Sequence, residues 1–564
     1  MTIHMKDIQF PAASYDEWKQ QATKALKGKP FESLFTKTVE GVTLEPLYTQ
    51  EMLVKKLGDQ LENQISTIRA LKATEGFTIA QQIYGENSPQ FFASITESFK
   101  KGNQCLTIDS RVSFEWNEAN LTLLAEHLTE NSFKIYVEND KDPILGVFDK
   151  INDRKIKGFI LSQEPIALKD FENVKTLCAD MVNYHHDGAN AVQELAFAMA
   201  IAAQFAEQEG GFEKFANQFF VNFAIDTQFF SEIAKIRAFK VLWKAFSKAY
   251  GVEEPVSIPI LAETSLRSFT KADPYVNLLR AGNEAFAALI GGADIFTVHP
   301  HDCLTKPTEQ SIRIARNVSL VLKEESFVEN VLDPSGGSYF IESLTAQYVK
   351  KAWALFLEIE NSGGIDAYTE SGKLKAALDE VYEIRLKAVE TRKHSLIGTN
   401  IYANPADEVP AETNAQFAKL KRLAVTFEKI RENYKATQPK LAILTYGKLK
   451  DFKPRADFVE GFFATAGIVP AKSGEIQTLA EAKTWLEKAE FDYVVIAAKD
   501  EDTKELVPAL LARKREGLLL DAAGKFKEEE DAWLANGLNG FIFAGQNIVA
   551  KLTELLESLK GVQQ

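Results

Sequence analysis

The chain is 564 residues long, 45% hydrophobic and 26% charged, with a formal net charge of −14, the make-up of a globular protein of roughly two to four domains. The acidic balance, with no long Lys/Arg run, argues against nucleic acid or an anionic membrane as partner, because excess negative charge repels phosphate. Cys105, Cys178 and Cys303 lie far apart without metal-ligand spacing, the opening MTIHMKDIQFP has no apolar core behind a basic start, and the chain has no transmembrane-length apolar run, so a cytoplasmic chain without signal peptide or membrane span is expected.

Residues 1–45 read as an N-terminal arm. Within it, residues 12–34 predict a helix, with Ser14 as N-cap and Glu17 three positions on, the spacing of a capping box. An arm outside a domain needs something to pack against, which makes it the candidate contact with a partner chain. Residues 46–400 hold a repeating theme: a short β-rich run, a polar residue at its end, then a helical stretch. The runs are FTIAQQIYG, QCLTIDS, SFKIYVEND, KGFILSQE, VKTLCADMVNYHH, QFFVNFAIDT, VSIPILAETS and ADIFTVHPHD. Eight such alternations predict a (β/α)8 barrel. Polar groups gather at the carboxyl ends of the runs: Asp109, Glu138, Glu164, Tyr184, His185, Asp226, Glu263, Thr264, His299 and His301. Barrels of this kind build their sites at that end, although a strand end is solvated and polar in any case. Phe159, Phe219, Phe220, Phe223 and Phe296 fall inside the runs and favour a filled barrel centre. Helical segments at 308–325 and 343–361 follow, and the DPSGGSYF between them is turn chemistry.

Residues 401–439 read as a linker, GTNIYANPADEVPAETNAQ, and a helical spacer, FAKLKRLAVTFEKIRENYKA. Residues 440–564 hold five apolar runs, LAILTYG, GIVPAKS, DYVVIAAKD, GLLLDAAG and GFIFAGQN, with helices between them. That order predicts a flavodoxin-like, doubly wound domain whose ligands sit at the carboxyl ends of its strands. The first of those ends, a loop expected from Tyr446 to Arg455, offers one glycine and three lysines and little else that holds a cofactor.

Five stretches carry a resemblance: YHHDGANAVQELAFAMA (184–200), FFVNFAIDTQFFSEIAKIRAFKVLW (219–243), ETSLRSFTKADPYVNLLR (263–280), SIRIARNVSLVLKEES (311–326) and DPSGGSYFIESLT (333–345). In this order, with a barrel, a linker and a flavodoxin-like domain, the chain resembles the methylmalonyl-CoA mutase family over most of its length. The resemblance implies interchange of methylmalonyl-CoA and succinyl-CoA through radicals made from adenosylcobalamin. In the family's catalytic chains a histidine of an Asp-x-His-x-x-Gly loop holds the cobalt. Here Asp451 matches the aspartate, Lys453 stands at the histidine position and Ala456 at the glycine. A protonated lysine has no lone pair for a metal. None of the seven histidines follows His394, so no shift of register restores the ligand. A Ser-Ser-Leu-type strand end reads Ala497, Ala498, Lys499, and a Gly-Gly turn reads Ala522, Ala523, Gly524.

The barrel departs from the active pattern as well. The stretch ISTIRALKATEGFTIAQQ leads into the first strand without the family's tyrosine-containing segment, and ALKDFENVKTLCADM lacks the polar segment that handles the acyl-CoA. His185 matches the substrate-contacting histidine by its place after Tyr184, but Gly188 follows sooner than in active chains. The resemblance therefore implies the small, non-catalytic subunit of a heterodimeric mutase. Tyr184 and His185 are its vestigial site candidates, and Asp451, Lys453 and Ala456 mark a degenerate cofactor loop. No cofactor or metal is expected in this chain, and adenosylcobalamin and the CoA ester are expected in a large catalytic subunit. Two alternatives stand beside this. One is a catalytic acyl-CoA mutase with atypical cobalamin binding. The other is a barrel hydrolase pairing carboxylates such as Glu138 and Glu263.

Overall fold

The computed structural model describes residues 13–72 and 76–563; residues 1–12 of the expected arm lie outside the described residues. The barrel strands are β1 (Thr78–Gln82), β2 (Cys105–Asp109), β3 (Phe133–Tyr136), β4 (Gly158–Leu161), β5 in two pieces (Val174–Lys175 and Leu177–Asp180), β6 (Phe219–Ile225), β7 (Ile260–Thr264) and β8 (Ile295–Thr297). All pair in parallel, and β8 returns to β1. The first piece of β5 pairs with β4 and the second with β6, so one interrupted strand closes the ring. The expected (β/α)8 barrel is present.

Strand alternation decides which side chains fill it. In β6, Phe219 stacks on Trp243 of the outer helix Phe229–Ala249 at 5.4 Å, and Phe223 meets Phe239 of the same helix at 5.5 Å. Phe220 points the other way and meets Phe159 at 5.1 Å. Those two rings, with Leu161, Cys178 and Leu261, form the apolar plug on the barrel axis. The expectation of a filled centre holds, but through Phe159 and Phe220. Phe219, Phe223 and Phe296 belong to the layer between barrel and helices instead.

The arm helix runs Tyr15–Ala25, shorter than the expected segment. Its capping box is in place: the Ser14 amide donates to Glu17 Oε2 at 2.8 Å, and the Glu17 amide donates to Ser14 Oγ at 3.2 Å. None of its residues is buried.

The last domain contains β9 (Leu441–Thr445), β10 (Ala471–Lys472), β11 (Tyr493–Ala497), β12 (Leu519–Ala523) and β13 (Gly540–Ile542) in the parallel order β10-β9-β11-β12-β13. That is the flavodoxin-like order, with apolar cores on both faces of the sheet.

The segment before it is less open than a linker. The spacer helix begins only at Val425 and ends at Thr437. It packs on the same face of the last sheet as helices Leu449–Ala464 and Ile548–Gln563, and the Tyr434 hydroxyl donates to the Leu552 carbonyl at 2.9 Å. Upstream of it the chain lies across the barrel: the Asn414 amide donates to Leu304 O at 2.9 Å and the Leu423 amide to Arg267 O at 2.9 Å. Among the described residues no helix is long and apolar enough to cross a membrane.

Candidate functional site

The carboxyl ends of the barrel strands surround a cavity of about 90 Å³ lined by both polar and apolar groups. Of the plug residues, Leu161 lines it. Its roof comes from the segment after the barrel, where Gln416, Phe417 and Leu420 line it. Gln82 Nε2 donates to Gln416 Oε1 at 3.0 Å, Gln416 Nε2 donates to Arg111 O at 3.2 Å, and the Phe417 ring lies 5.4 Å from that of His299.

Two ion pairs set the electrostatics. Lys134, on the inward face of β3 and buried, holds Glu263 Oε2 at 3.0 Å and Thr297 Oγ1 at 3.2 Å. His299 Nε2 meets the other Glu263 oxygen at 3.3 Å. Burial alone would raise the Glu263 carboxyl, but the Lys134 charge and the His299 hydrogen bond outweigh it and hold the group below the usual carboxylate range. Arg111 grips Asp109 with two hydrogen bonds, 2.9 and 2.6 Å, and lies over the Tyr136 ring. Asp180 accepts from Asn222 Nδ2 at 2.9 Å and from the Val182 amide at 3.2 Å. Burial and the nearby Glu263 charge push its carboxyl up to about 6.

The two adjacent histidines separate. His185 is fully buried behind the cavity wall, with Nδ1 on Glu194 at 2.7 Å and Nε2 on Ser265 Oγ at 2.8 Å. Burial, then the Arg267 charge, depress its imidazole to about 4. His186 lines the cavity instead and accepts the Leu266 amide on Nε2 at 3.2 Å. Burial, then His185, depress it to about 3. Both rings are therefore neutral at ordinary pH. The short helix Val182–Asp187 that carries them ends at Gly188, where φ is +128° and a Cβ would stand 2.4 Å from the Leu378 carbonyl. Glycine is required there by the close approach of helix Lys373–Glu390. Tyr184 turns outward, its ring 5.6 Å from that of Phe197.

The remaining strand-end candidates divide. Asp109, Glu263 and His299 meet in the cavity. Asp226 is buried against Arg267 and Ser268, a structural anchor. Thr264 accepts the His299 amide at 2.9 Å, and His301 stacks on Tyr275. Glu138 is exposed and outside the cavity lining, and Glu164 is exposed as well. The Glu138–Glu263 pairing that a hydrolase would need is absent, since Glu263 is committed to Lys134 and His299. Sequence reasoning missed Lys134, Asp180 and Asn222. The signal was parity: all three are polar residues on the inward phase of otherwise apolar strands.

At the last sheet, the expected cofactor loop is only Tyr446–Lys448, because the helix starts at Leu449. Asp451 caps that helix, accepting the Lys448 amide at 3.2 Å. Lys453 points to solvent in an i,i+4 pair with Asp457 at 2.7 Å, and Ala456 is buried in the core. Arg455 reaches the Ala498 carbonyl and Asp500 and lies over the Phe526 ring, covering the ends of β11 and β12. These residues do not fit cobalamin: no imidazole faces the sheet edge, and Arg455 lies over the Phe526 ring at the ends of β11 and β12. Among the described residues no group of three or more His, Cys, Asp or Glu side chains is placed to hold a metal ion.

The sequence profile of the family described as methylmalonyl-CoA mutase matches residues 166–467. A "methylmalonyl-CoA mutase small subunit" of Porphyromonas gingivalis is 28% identical, over 96% of this chain and 97% of that one. Another, of Propionibacterium freudenreichii subsp. shermanii, is 27% identical over 98% and 95%. A "methylmalonyl-CoA mutase" of Cereibacter sphaeroides is 29% identical over 73% of this chain and 68% of its own.

Proposed function

The chain belongs to the methylmalonyl-CoA mutase family, and on that premise we propose that it is the non-catalytic small subunit of a two-chain mutase. Its partner is a large subunit that carries adenosylcobalamin and the CoA ester. The observation that carries this proposal is the barrel: its axis is stopped by Phe159 and Phe220, and its mouth is roofed by Gln416, Phe417 and Leu420. An acyl-CoA arm has no passage through such a barrel. The last domain supports the same conclusion, since Lys453 stands on an exposed helix face where a cobalt ligand would be needed. A chain that has lost its site can keep its partner, because an interface and a catalytic site rest on different surface chemistry.

Adenosylcobalamin titrated into the purified chain is expected to leave no corrinoid retained after filtration and no change in its spectrum. Tight retention with a displaced lower ligand would instead favour a catalytic mutase with atypical cobalamin binding. The arm is the proposed contact with the large subunit, because its helix has no buried residue of its own and leaves the Tyr15 ring tilted against Trp18 and Trp18 edge-on to Phe31. Deleting residues 1–40 is expected to abolish co-purification with the large subunit while leaving the chain folded by circular dichroism. Unchanged complex formation would refute the assignment.

A further inference from the structure

Outside the barrel, where β4 ends and the second piece of β5 pairs only with β6, lies a groove of about 320 Å³. It continues into a neighbouring hollow of about 390 Å³ through Gln204, Gln208 and Asp366, which line both. The charged residues along the two are all acidic: Glu164, Asp180, Glu207, Glu360 and Asp366, with no Lys, Arg or His lining either. A surface of one sign with low-dielectric walls concentrates the opposite ion.

The groove ends at Asp180, which also lines the mouth cavity. Asp180 thus lies between an acidic approach and the barrel-mouth chamber. The other two carboxylates of the chamber have cations, Arg111 for Asp109 and Lys134 for Glu263. Asp180 accepts only neutral donors, an amide side chain and a backbone N–H. Past it, two buried acceptors have no hydrogen-bond partner. They are Asn222 Oδ1, on a residue 1% exposed, and His299 Nδ1, on a residue 4% exposed. With Nε2 turned to the Glu263 carboxylate, the neutral form of the His299 ring has its hydrogen on Nε2 and its lone pair on Nδ1. Thr107 Oγ1 is also unpartnered at the chamber wall, and His186 Nδ1, which carries the ring hydrogen because Nε2 accepts the Leu266 amide, is an unpartnered donor there. Orphaned buried acceptors are costly and call for an occupant.

We propose that the barrel-mouth chamber binds a small primary ammonium ion, drawn in along the acidic groove past Asp180. A primary ammonium offers three N–H donors, one each for Asp180, Asn222 Oδ1 and His299 Nδ1. The imidazole nitrogen favours an N–H donor over a hard alkali cation, which prefers oxygen. A chamber of about 90 Å³ has the volume of roughly three waters, enough for an ammonium head and a tail of one or two carbons. Leu161, Leu266 and Leu420 supply an apolar wall for that tail. The proposal is independent of whether the chain pairs with a catalytic subunit.

The test uses the full chain with 13C-methylammonium chloride at constant ionic strength, read by line broadening of the methyl signal and by thermal shift. Sodium chloride and tetramethylammonium chloride are the comparisons; neither offers an N–H donor. Saturable binding of methylammonium alone supports the site, with at least about tenfold weaker binding in Asp180→Asn, as loss of a charge-assisted hydrogen bond predicts. If Asp180→Asn does not fold, the surface pair Glu164→Gln, Asp366→Asn serves. It is expected to weaken binding about threefold at low salt, with the difference vanishing at high salt. Equal effects of all three salts, no saturation, or undiminished affinity in the variants would overturn the proposal and leave a chamber filled by water.

Discussion

Arg237→Ala is expected to lower the unfolding free energy by about 3–5 kcal/mol, the range for breaking a buried charge pair. Arg237 is fully buried on helix Phe229–Ala249. Its two Nη groups separate, one to Asp333 and the other to Glu342. Gln64 Nε2 reaches the second Glu342 oxygen at 2.5 Å, and the Gly337 amide donates to the first at 3.0 Å. One guanidinium therefore ties three parts of the chain: a barrel helix, the DPSGG turn, and the start of helix Tyr339–Asn361. Removing it leaves two carboxylates without charge compensation where water does not reach. Arg237→Lys is expected to recover little, because a single ammonium cannot span both acceptors as the fork does. Combining Arg237→Met with Glu342→Met is expected to cost less than Arg237→Ala, since it leaves one buried carboxylate, Asp333, without its cation where Arg237→Ala leaves two. Urea unfolding of the three variants measures this, and equal stability of wild type and Arg237→Ala would refute it.

That network shows where the sequence was legible and where it was not. DPSGG reads as a turn from composition, and it is one, with the Gly336 amide closing on Asp333 O at 3.0 Å. What the turn does could not be read, because its partner Arg237 lies 96 residues away on a helix with no local signal. The same division runs through the fold. Eight barrel strands and five sheet strands were visible because parallel strands buried on both faces are apolar runs bounded by polar ends. The interruption of β5 at Thr176 and the axis-facing phase of Phe220 follow from closure of the ring, which no single run encodes. In the candidate site, Glu263 and His299 were visible as polar strand ends. The pair His185 and His186 was visible too, but which of two adjacent side chains faces the axis depends on the short helix after β5. The roof of Gln416 and Phe417 was hidden in a segment whose Asn, Pro and Ala content reads as a linker. Composition reports that such a segment is irregular and not that it lies packed across a barrel.

Glu194→Gln is expected to cost about 3 kcal/mol at neutral pH, the low end for opening a buried ion pair. Glu194 joins two elements of the barrel wall. Its Oε1 takes His185 Nδ1 at 2.7 Å and its Oε2 takes Lys235 Nζ at 2.8 Å, all three side chains being essentially unexposed. Lys235 also donates to the Ala224 carbonyl and is paired with Glu232 at 2.6 Å, so the variant retains one carboxylate for the lysine. That retained partner keeps the cost from rising further. Burial opposes ionisation of Glu194, yet the charge of Lys235 and the contact with His185 outweigh it and hold the carboxyl at about 2 against an ordinary value of 4.5. A carboxyl lowered on folding stabilises the folded chain above its unfolded value, and that contribution disappears as the proton returns. Stability of the wild type should therefore fall as pH drops from about 4.5 toward about 2. In Glu194→Gln that part of the acid limb should be missing, so the two stability curves converge at the acid end. Glu194→Met with Lys235→Met is expected to regain only part of the neutral-pH loss, because it removes both members of that pair but leaves the buried Glu232 without its lysine. Denaturant titrations at pH 7, 5 and 3 separate these outcomes. A difference between wild type and Glu194→Gln that stays constant over that span would mean the glutamate acts by its shape in the barrel wall and not by its charge.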